Sequence, residues 1–237
     1  QLARAELTSL LQIVDQVSTR ADLATATARV RVLDAEAFFS FYFTADRADA
    51  TRHLATLDQG GFTLPDRQHY LSPSFAEVRT RYLAHIQQLT QKLAPNLNVS
   101  ADAVLRIETA LAQASLERAA RRDPNTTYHP VARPAFLASS PAFGWDAFWQ
   151  EAGVGSLQAL NVAVPSFFAA LEGLLSTEPL ADLKSYLRWR LIESQAGTLD
   201  EEILGDEFDF HARAFTGQQS PPPTEWRCYL ETTQSLG

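Results

Sequence analysis

The sequence predicts a mainly α-helical domain of several helices with one small β-hairpin near residues 38–58. Two observations predict the helices: apolar residues recur at steps of three and four, and Ser, Thr or Pro residues stand where these stretches begin. A third observation predicts the hairpin, because Phe39, Phe41 and Phe43 follow the two-residue period of a strand. The chain has 237 residues, of which 46% are hydrophobic, and this is enough to form a substantial core.

Two helices are predicted before the hairpin. The apolar stripe of the first helix consists of Leu7, Leu10, Leu11, Val14 and Val17. A second helix is predicted over Ala21–Val30, with Ser18 or Thr19 as its N-cap. Asp22 falls in the first turn of this helix, where the helix dipole favours an anion.

The hairpin and an irregular loop follow these helices. Asp46–Asp49 supplies a polar turn, and Thr51–Leu57 alternates again as the returning strand. Asp58–Pro65 is predicted to be an irregular loop, because paired glycines followed closely by a proline are incompatible with both helix and sheet.

Helices are predicted for most of the remaining chain. Ser72 and Pro73 begin a helix that ends at Pro95, and Ser100 caps another. A proline-rich loop is predicted over Arg121–Pro141. The further predicted elements are a short aromatic helix at Trp145–Trp149, a short strand at Leu160–Val164, helices at Phe167–Leu175, Thr177–Gly197 and Asp200–Phe215, a stiff linker at Pro221–Pro223 and a final helix around Trp226.

The composition argues against several classes of protein. The formal net charge of -8 and the scattered arginines argue against a nucleic-acid surface. No apolar run reaches the roughly 18 residues of a membrane helix, and no signal-peptide pattern is present. The single cysteine, Cys228, excludes an internal disulfide framework and is interpreted either as a buried apolar residue or as half of a disulfide with a partner elsewhere.

No motif in this sequence assigns a reaction to the chain. The five histidines contain no H-E-x-x-H pair, so they are interpreted as ordinary polar or half-buried side chains. The acidic run Asp200–Glu202 is interpreted as the first turn of a helix, and Arg121–Asp123 as a basic helix end followed by a turn. Glycine-rich phosphate loops and the G-x-S-x-G nucleophile elbow are absent from the sequence. We therefore predict no catalytic, cofactor-binding or metal-binding residue within this chain.

The order of several short motifs is the most informative feature of the sequence. The segment Leu57–Leu71 reads L-D-Q-G-G-F-T-L-P-D-R-Q-H-Y-L. The other motifs are Tyr82–Ile86, Ile107–Ala112, Arg121–Tyr128, Phe143–Phe148, Tyr186–Arg190, Phe208–Gly217 and Trp226–Cys228. In this order, from about Ala21 to the end, they resemble the N-terminal helical domain of the neprilysin-like M13 zinc metallopeptidases.

The resemblance implies that residues 1–237 form a single helical lobe, truncated at both ends, of a secreted or periplasmic cell-envelope zinc metalloendopeptidase. In that family the zinc and its H-E-x-x-H ligands lie in a C-terminal domain, so the resemblance assigns no site residue to this chain. The implied partners of the lobe are that zinc-binding C-terminal domain and peptide substrates. The implied role is to face the zinc domain and restrict the central cavity to peptides, and the segment alone is expected to be inactive.

An alternative from another class is a stand-alone helical binding module without catalytic activity. An H-E-x-x-H motif in the reading frame beyond Gly237 would support the peptidase, whereas an early stop codon would support the module. Asp58–Tyr70 is expected to be a structural turn that fixes the hairpin to the next helix rather than a direct peptide contact. Trp145, Phe148 and Trp149 are likewise expected to belong to the core rather than to a substrate platform.

Overall fold

Helices dominate the part of the chain that the computed structural model describes, which is residues 2–199 and 201–213 together with positions 223, 225, 226, 229, 232 and 233. The helices are α1 (Leu2–Asp15), α2 (Arg20–Arg31), α3 (Arg67–Leu71), α4 (Ala76–Leu93), α5 (Ala101–Ala114), α6 (Arg133–Ser139), α7 (Trp145–Glu151), α8 (Pro165–Thr177), α9 (Leu180–Leu199) and α10 (Glu201–Glu207). The strands are β1 (Phe39–Ala45), β2 (His53–Gln59), β3 (Pro130–Ala132) and β4 (Ala159–Val162). The predicted mainly α class is therefore confirmed.

The chain divides into two compact units, residues 1–195 and residues 196–237. In the second unit, the helix predicted over Asp200–Phe215 is found as α10 followed by a π-helical segment, Phe208–Arg213. The predictions for Gly217, the first two prolines of the linker and Cys228 concern residues outside the described part of the chain. No helix among the described residues combines the length and the apolarity needed to cross a bilayer.

The predicted helix caps are present in the structure. The Thr19 hydroxyl accepts a hydrogen bond from the Asp22 amide, and the Asp22 carboxylate accepts one from the Thr19 amide, which completes a capping box at the start of α2. The Ser100 hydroxyl caps α5 by accepting a hydrogen bond from the Ala103 amide. Ser72 caps a short 3-10 turn, so α4 itself begins three residues after Pro73.

The predicted hairpin is confirmed and forms part of a four-stranded sheet with the order β1-β2-β4-β3. Strands β1 and β2 are antiparallel, β2 and β4 are parallel, and β4 and β3 are antiparallel. The prediction of a continuous loop over Arg121–Pro141 was wrong, because this segment contains β3 and α6. Strand β3 has only three residues and begins with a proline, which suits an edge strand but leaves no alternating pattern to detect in the sequence.

The sheet has one apolar face and one polar face. The register places Phe39, Phe41, Leu57 and Val162 on the same side, where they are buried. This side packs against a cluster of aromatic rings from α6, α7, α8 and the loop before α7, consisting of Phe136, Phe143, Trp145, Phe148 and Phe168. Ring centroids 4.6–6.2 Å apart and mostly tilted or edge-on geometries are typical of aromatic packing in protein cores.

The loop after β2 approaches the start of β1 at Gly61. The backbone of Gly61 has a φ of +79°, and a Cβ placed there would lie 2.5 Å from the Phe38 amide nitrogen and 2.7 Å from the Tyr186 hydroxyl. That hydroxyl accepts a 2.8 Å hydrogen bond from the Phe38 amide and donates a 2.6 Å bond to the Gly61 carbonyl. Only glycine fits this conformation and this close approach.

We predict that Gly61→Ala destabilises the chain by at least about 2 kcal/mol, because it adds a strained left-handed residue to an overpacked junction. Urea denaturation monitored by circular dichroism measures the change. The matched control is Gly173→Ala within α8, where a Cβ would meet nothing within 4 Å. This control should stabilise the chain by about 0.5–1 kcal/mol through helix propensity. Equal effects of the two substitutions would contradict the role given to Gly61.

Candidate functional site

The four histidines of the first unit lie on separate segments of the chain. His53 on β2 and His129 before β3 are exposed, whereas His85 on α4 is buried. His69 lies on α3, and His211 lies in the second unit. Within residues 2–195, no three side chains of histidine, aspartate or glutamate bring their ligand atoms together.

A group of polar side chains surrounds Glu108 on α5, and Glu108 itself has no exposed surface. Its Oε2 atom accepts 2.8 Å hydrogen bonds from the hydroxyls of Tyr70 and Tyr82. Its Oε1 atom accepts a 3.2 Å bond from the Thr63 hydroxyl and lies 3.7 Å from Nη1 of Arg190. We call these five residues the Glu108 network. They come from α3, α4, α5, α9 and the loop after β2, so one carboxylate joins five segments.

The outer members of the Glu108 network extend it further into the fold. Tyr70 accepts a hydrogen bond from the Leu64 amide, and Tyr82 accepts one from the Trp189 indole nitrogen. Arg190 donates from Nε to the Glu36 carbonyl at 2.7 Å. These hydrogen bonds fix the loop after β2 to α3, α5 and α9, as expected of a structural turn in Asp58–Tyr70.

Burial shifts the pKa values of the ionisable groups in this network. Loss of solvent raises the pKa of Glu108 to about 7, although Arg190 and the two tyrosine hydroxyls act to lower it. Burial also raises the pKa values of Tyr70 and Tyr82, so both hydroxyls keep their protons and remain donors. For Arg190, burial lowers the pKa, but the nearby Glu193, Tyr186 and Glu108 outweigh it and the net shift is upward.

Four members of the Glu108 network are buried and Thr63 is partly exposed, so the network holds neighbouring segments in position. Four of the motif segments noted in the sequence meet here, because they contribute Tyr70, Tyr82, Glu108 and Arg190. Sequence analysis did not identify this network. The sequence did contain an indication of it, because Glu108 stands four residues after Val104 on the apolar stripe of α5. A charged side chain on that stripe must be buried.

The aromatic residues considered as a substrate platform belong to the core. Trp145, Phe148 and Trp149 are each no more than 2% exposed, which confirms the interpretation from sequence. The acidic residues Glu201 and Glu202 occupy the first turn of α10, also as interpreted. Arg121 and Arg122 end a 3-10 turn, and Asp123 caps the next one.

We predict that Glu108→Gln flattens the dependence of stability on pH between about 4.5 and 7. The folded chain holds the Glu108 proton more tightly than the unfolded chain, whose reference pKa is 4.5. The stability due to this proton is therefore complete below pH 4.5 and lost as the pH rises towards 7. The free energy of unfolding of the native chain, relative to that of the variant, should decrease as the pH rises over this interval. Urea unfolding at successive pH values measures both.

The control for this measurement is Glu77→Gln on α4, because the Glu77 side chain is 76% exposed. This control should keep the pH profile of the native chain. Parallel profiles for the native chain and Glu108→Gln would show that Glu108 does not change its protonation in this interval.

Comparison with known proteins places these features in a family. The N-terminal model of Peptidase family M13 matches residues 1–237. Rat endothelin-converting enzyme 1 is 25% identical over 209 residues, which cover 84% of this chain and 27% of the relative. Neprilysin-2 of Drosophila melanogaster is 26% identical over 205 residues, which cover 83% of this chain and 26% of the relative. The chain thus spans about a quarter of the length of these curated relatives.

Solved structures show the same fold. The zinc metalloprotease ZMP1 of Mycobacterium tuberculosis in its open state is similar with a TM-score of 0.90 and 24% identity, over 97% of this chain and 36% of that one. PepO of Lactobacillus rhamnosis is similar with a TM-score of 0.67 and 16% identity, over 93% of this chain and 35% of that one. The family match over the full sequence is the decisive finding: this chain belongs to peptidase family M13.

Proposed function

We propose that this chain is the non-catalytic helical lobe of a zinc metalloendopeptidase that hydrolyses peptide bonds. The observation that supports this most directly is the share of each protein that the match covers. The family match covers every residue of the chain, while the chain covers only 27% of rat endothelin-converting enzyme 1. The sequence contains no H-E-x-x-H motif. In this proposal the zinc and its ligands belong to another part of the parent polypeptide, and no residue of this chain is catalytic or binds the metal.

The proposed work of the lobe is to face the zinc domain and restrict the central cavity to peptides. The internal structure of the first unit suits such a wall, because its sheet, aromatic cluster and Glu108 network fix the relative positions of its elements. Interiors packed in this way resist deformation, so a wall built on them can exclude folded proteins by size. The proposed partners are the zinc-binding C-terminal domain of the parent and peptide substrates, in a secreted or cell-envelope location.

We predict that the purified chain releases no product from an internally quenched peptide, with or without added zinc. Amide hydrolysis in such enzymes needs a bound metal to polarise the carbonyl and activate water. Fluorescence is followed over hours, with a full-length M13 peptidase as the positive control. Cleavage that requires zinc, is abolished by a chelator and co-purifies with this chain would overturn the proposal that the chain is non-catalytic.

The positive arm of the test uses a longer polypeptide. The chain, expressed in continuity with the reading frame beyond Gly237, should cleave the same peptide in a zinc-dependent manner and leave a folded protein intact. A reading frame that ends without an H-E-x-x-H motif would instead favour the binding module.

A further inference from the structure

A polar cavity of about 220 Å³ lies on the side of the sheet opposite the aromatic cluster. Tyr42, Thr56, Asp58 and Asn161 from the polar sheet face form its base, and the segment 121–128 forms its wall. This volume is smaller than the roughly 300–1,000 Å³ of pockets that enclose a drug-sized ligand. It is much larger than the roughly 30 Å³ that one water occupies in the liquid. The cavity therefore suits one side chain or one chain end.

The carboxylate at the base of the cavity already has its hydrogen-bond donors. Oδ2 of Asp58 accepts a hydrogen bond from the Tyr42 hydroxyl at 3.1 Å and another from the Arg121 guanidinium. Oδ1 of Asp58 accepts a bond from the Gln59 amide. Burial, together with Asp58, raises the pKa of Tyr42 to about 12, so this hydroxyl keeps its proton. The negative charge of Asp58 is thus matched from within the chain.

The second carboxylate of the cavity, Asp46, also receives hydrogen bonds from donors within the chain. Its Oδ1 atom accepts hydrogen bonds from the Tyr128 hydroxyl at 2.6 Å and from the Ala48 amide, and its Oδ2 atom accepts one from Arg52. The hydrogen bonds to Asp46 lower its pKa, with the Tyr128 hydroxyl contributing most. Neither carboxylate therefore requires a cation from outside.

Several hydrogen-bond donors that line the cavity have no acceptor among the described residues. Among the described residues, the Arg47 guanidinium donates one hydrogen bond, to the Pro124 carbonyl, and the Arg121 guanidinium donates one, to Asp58. A guanidinium group carries five N–H donors, so most of them remain for another acceptor. Thr56 is 1% exposed and lines the cavity, and its hydroxyl has no hydrogen-bond partner in the described part of the chain. Buried hydroxyls without a partner are uncommon in native structures.

We propose that this cavity binds a carboxylate group of a peptide, through the guanidinium groups of Arg47 and Arg121 and the hydroxyl of Thr56. Arginine is the side chain best suited to a carboxylate, because its planar N–H groups match the two oxygens. The choice of a peptide as the source of the carboxylate rests on the proposed function. The cavity would then hold a C-terminal or acidic end of a peptide on this lobe.

The test measures binding without cleavage, so its failure would leave the proposed peptidase function untouched. N-acetyl-alanyl-alanine with a free carboxylate is titrated into the ¹⁵N-labelled chain, and the amide signals of Thr56 and Asn161 are followed by NMR. The matched probe is the same dipeptide with a C-terminal amide. The free acid should give saturable shifts, at about tenfold lower concentration than the amide, because charge-assisted hydrogen bonds contribute about 1.5 kcal/mol or more.

Two variants test the residues assigned to binding. Arg47→Gln should weaken binding of the free acid about tenfold, and Thr56→Val should weaken it by a smaller factor while nearly preserving shape. Arg121 is left intact, because its removal would deprive Asp58 of a partner. The matched control is Arg81→Gln, an exposed arginine on α4 that should leave binding unchanged. Urea midpoints confirm that each variant is folded.

Three outcomes would overturn the proposal. The first is equal affinity for the acid and the amide, and the second is undiminished binding by Arg47→Gln. The third is inorganic phosphate shifting the same signals at lower concentration than the peptide acid, which would identify a general anion site. Preference for the acid, with loss in Arg47→Gln and none in Arg81→Gln, would support the assigned peptide site.

Discussion

The buried carboxylate of Glu108 is the constraint on which the first unit depends. A charge of this kind is costly to remove from water, and the nearby Arg190 at 3.7 Å repays that cost only if further donors complete the site. Tyr70, Tyr82 and Thr63 supply those donors. Because each donor comes from a different segment, satisfying the carboxylate requires the segments to meet in one arrangement. The Glu108 network thereby specifies the packing of the loop after β2 against α4, α5 and α9.

The two faces of the small sheet contact different surroundings. Its apolar face completes the aromatic cluster, so the hairpin is held by ring packing rather than by its own hydrogen bonds alone. Its polar face carries Asp58, whose backbone continues directly into the loop held by the Glu108 network. The two features are therefore mechanically connected through β2, and the cavity on the polar face rests on a rigid support.

The short motifs identified in the sequence take part in the internal packing of the first unit. The motif segments identified in the sequence contribute buried contacts of the first unit, including Tyr82 to Trp189 and Tyr186 to Gly61. These contacts hold the fold of a chain that the family model matches over its full length.

The sequence by itself determined the local structure: the helical class, the hairpin, a cap at Ser18 or Thr19, the cap at Ser100, and the burial of the aromatic residues around Trp145. These features follow from the spacing of apolar residues and from side chains acting on nearby backbone. Only the tertiary structure decided the pairing of β3 and β4, the Glu108 network and the cavity beside Thr56. Their partners are separated along the chain, as with Glu108 and Arg190, and no local periodicity records which distant side chains will meet.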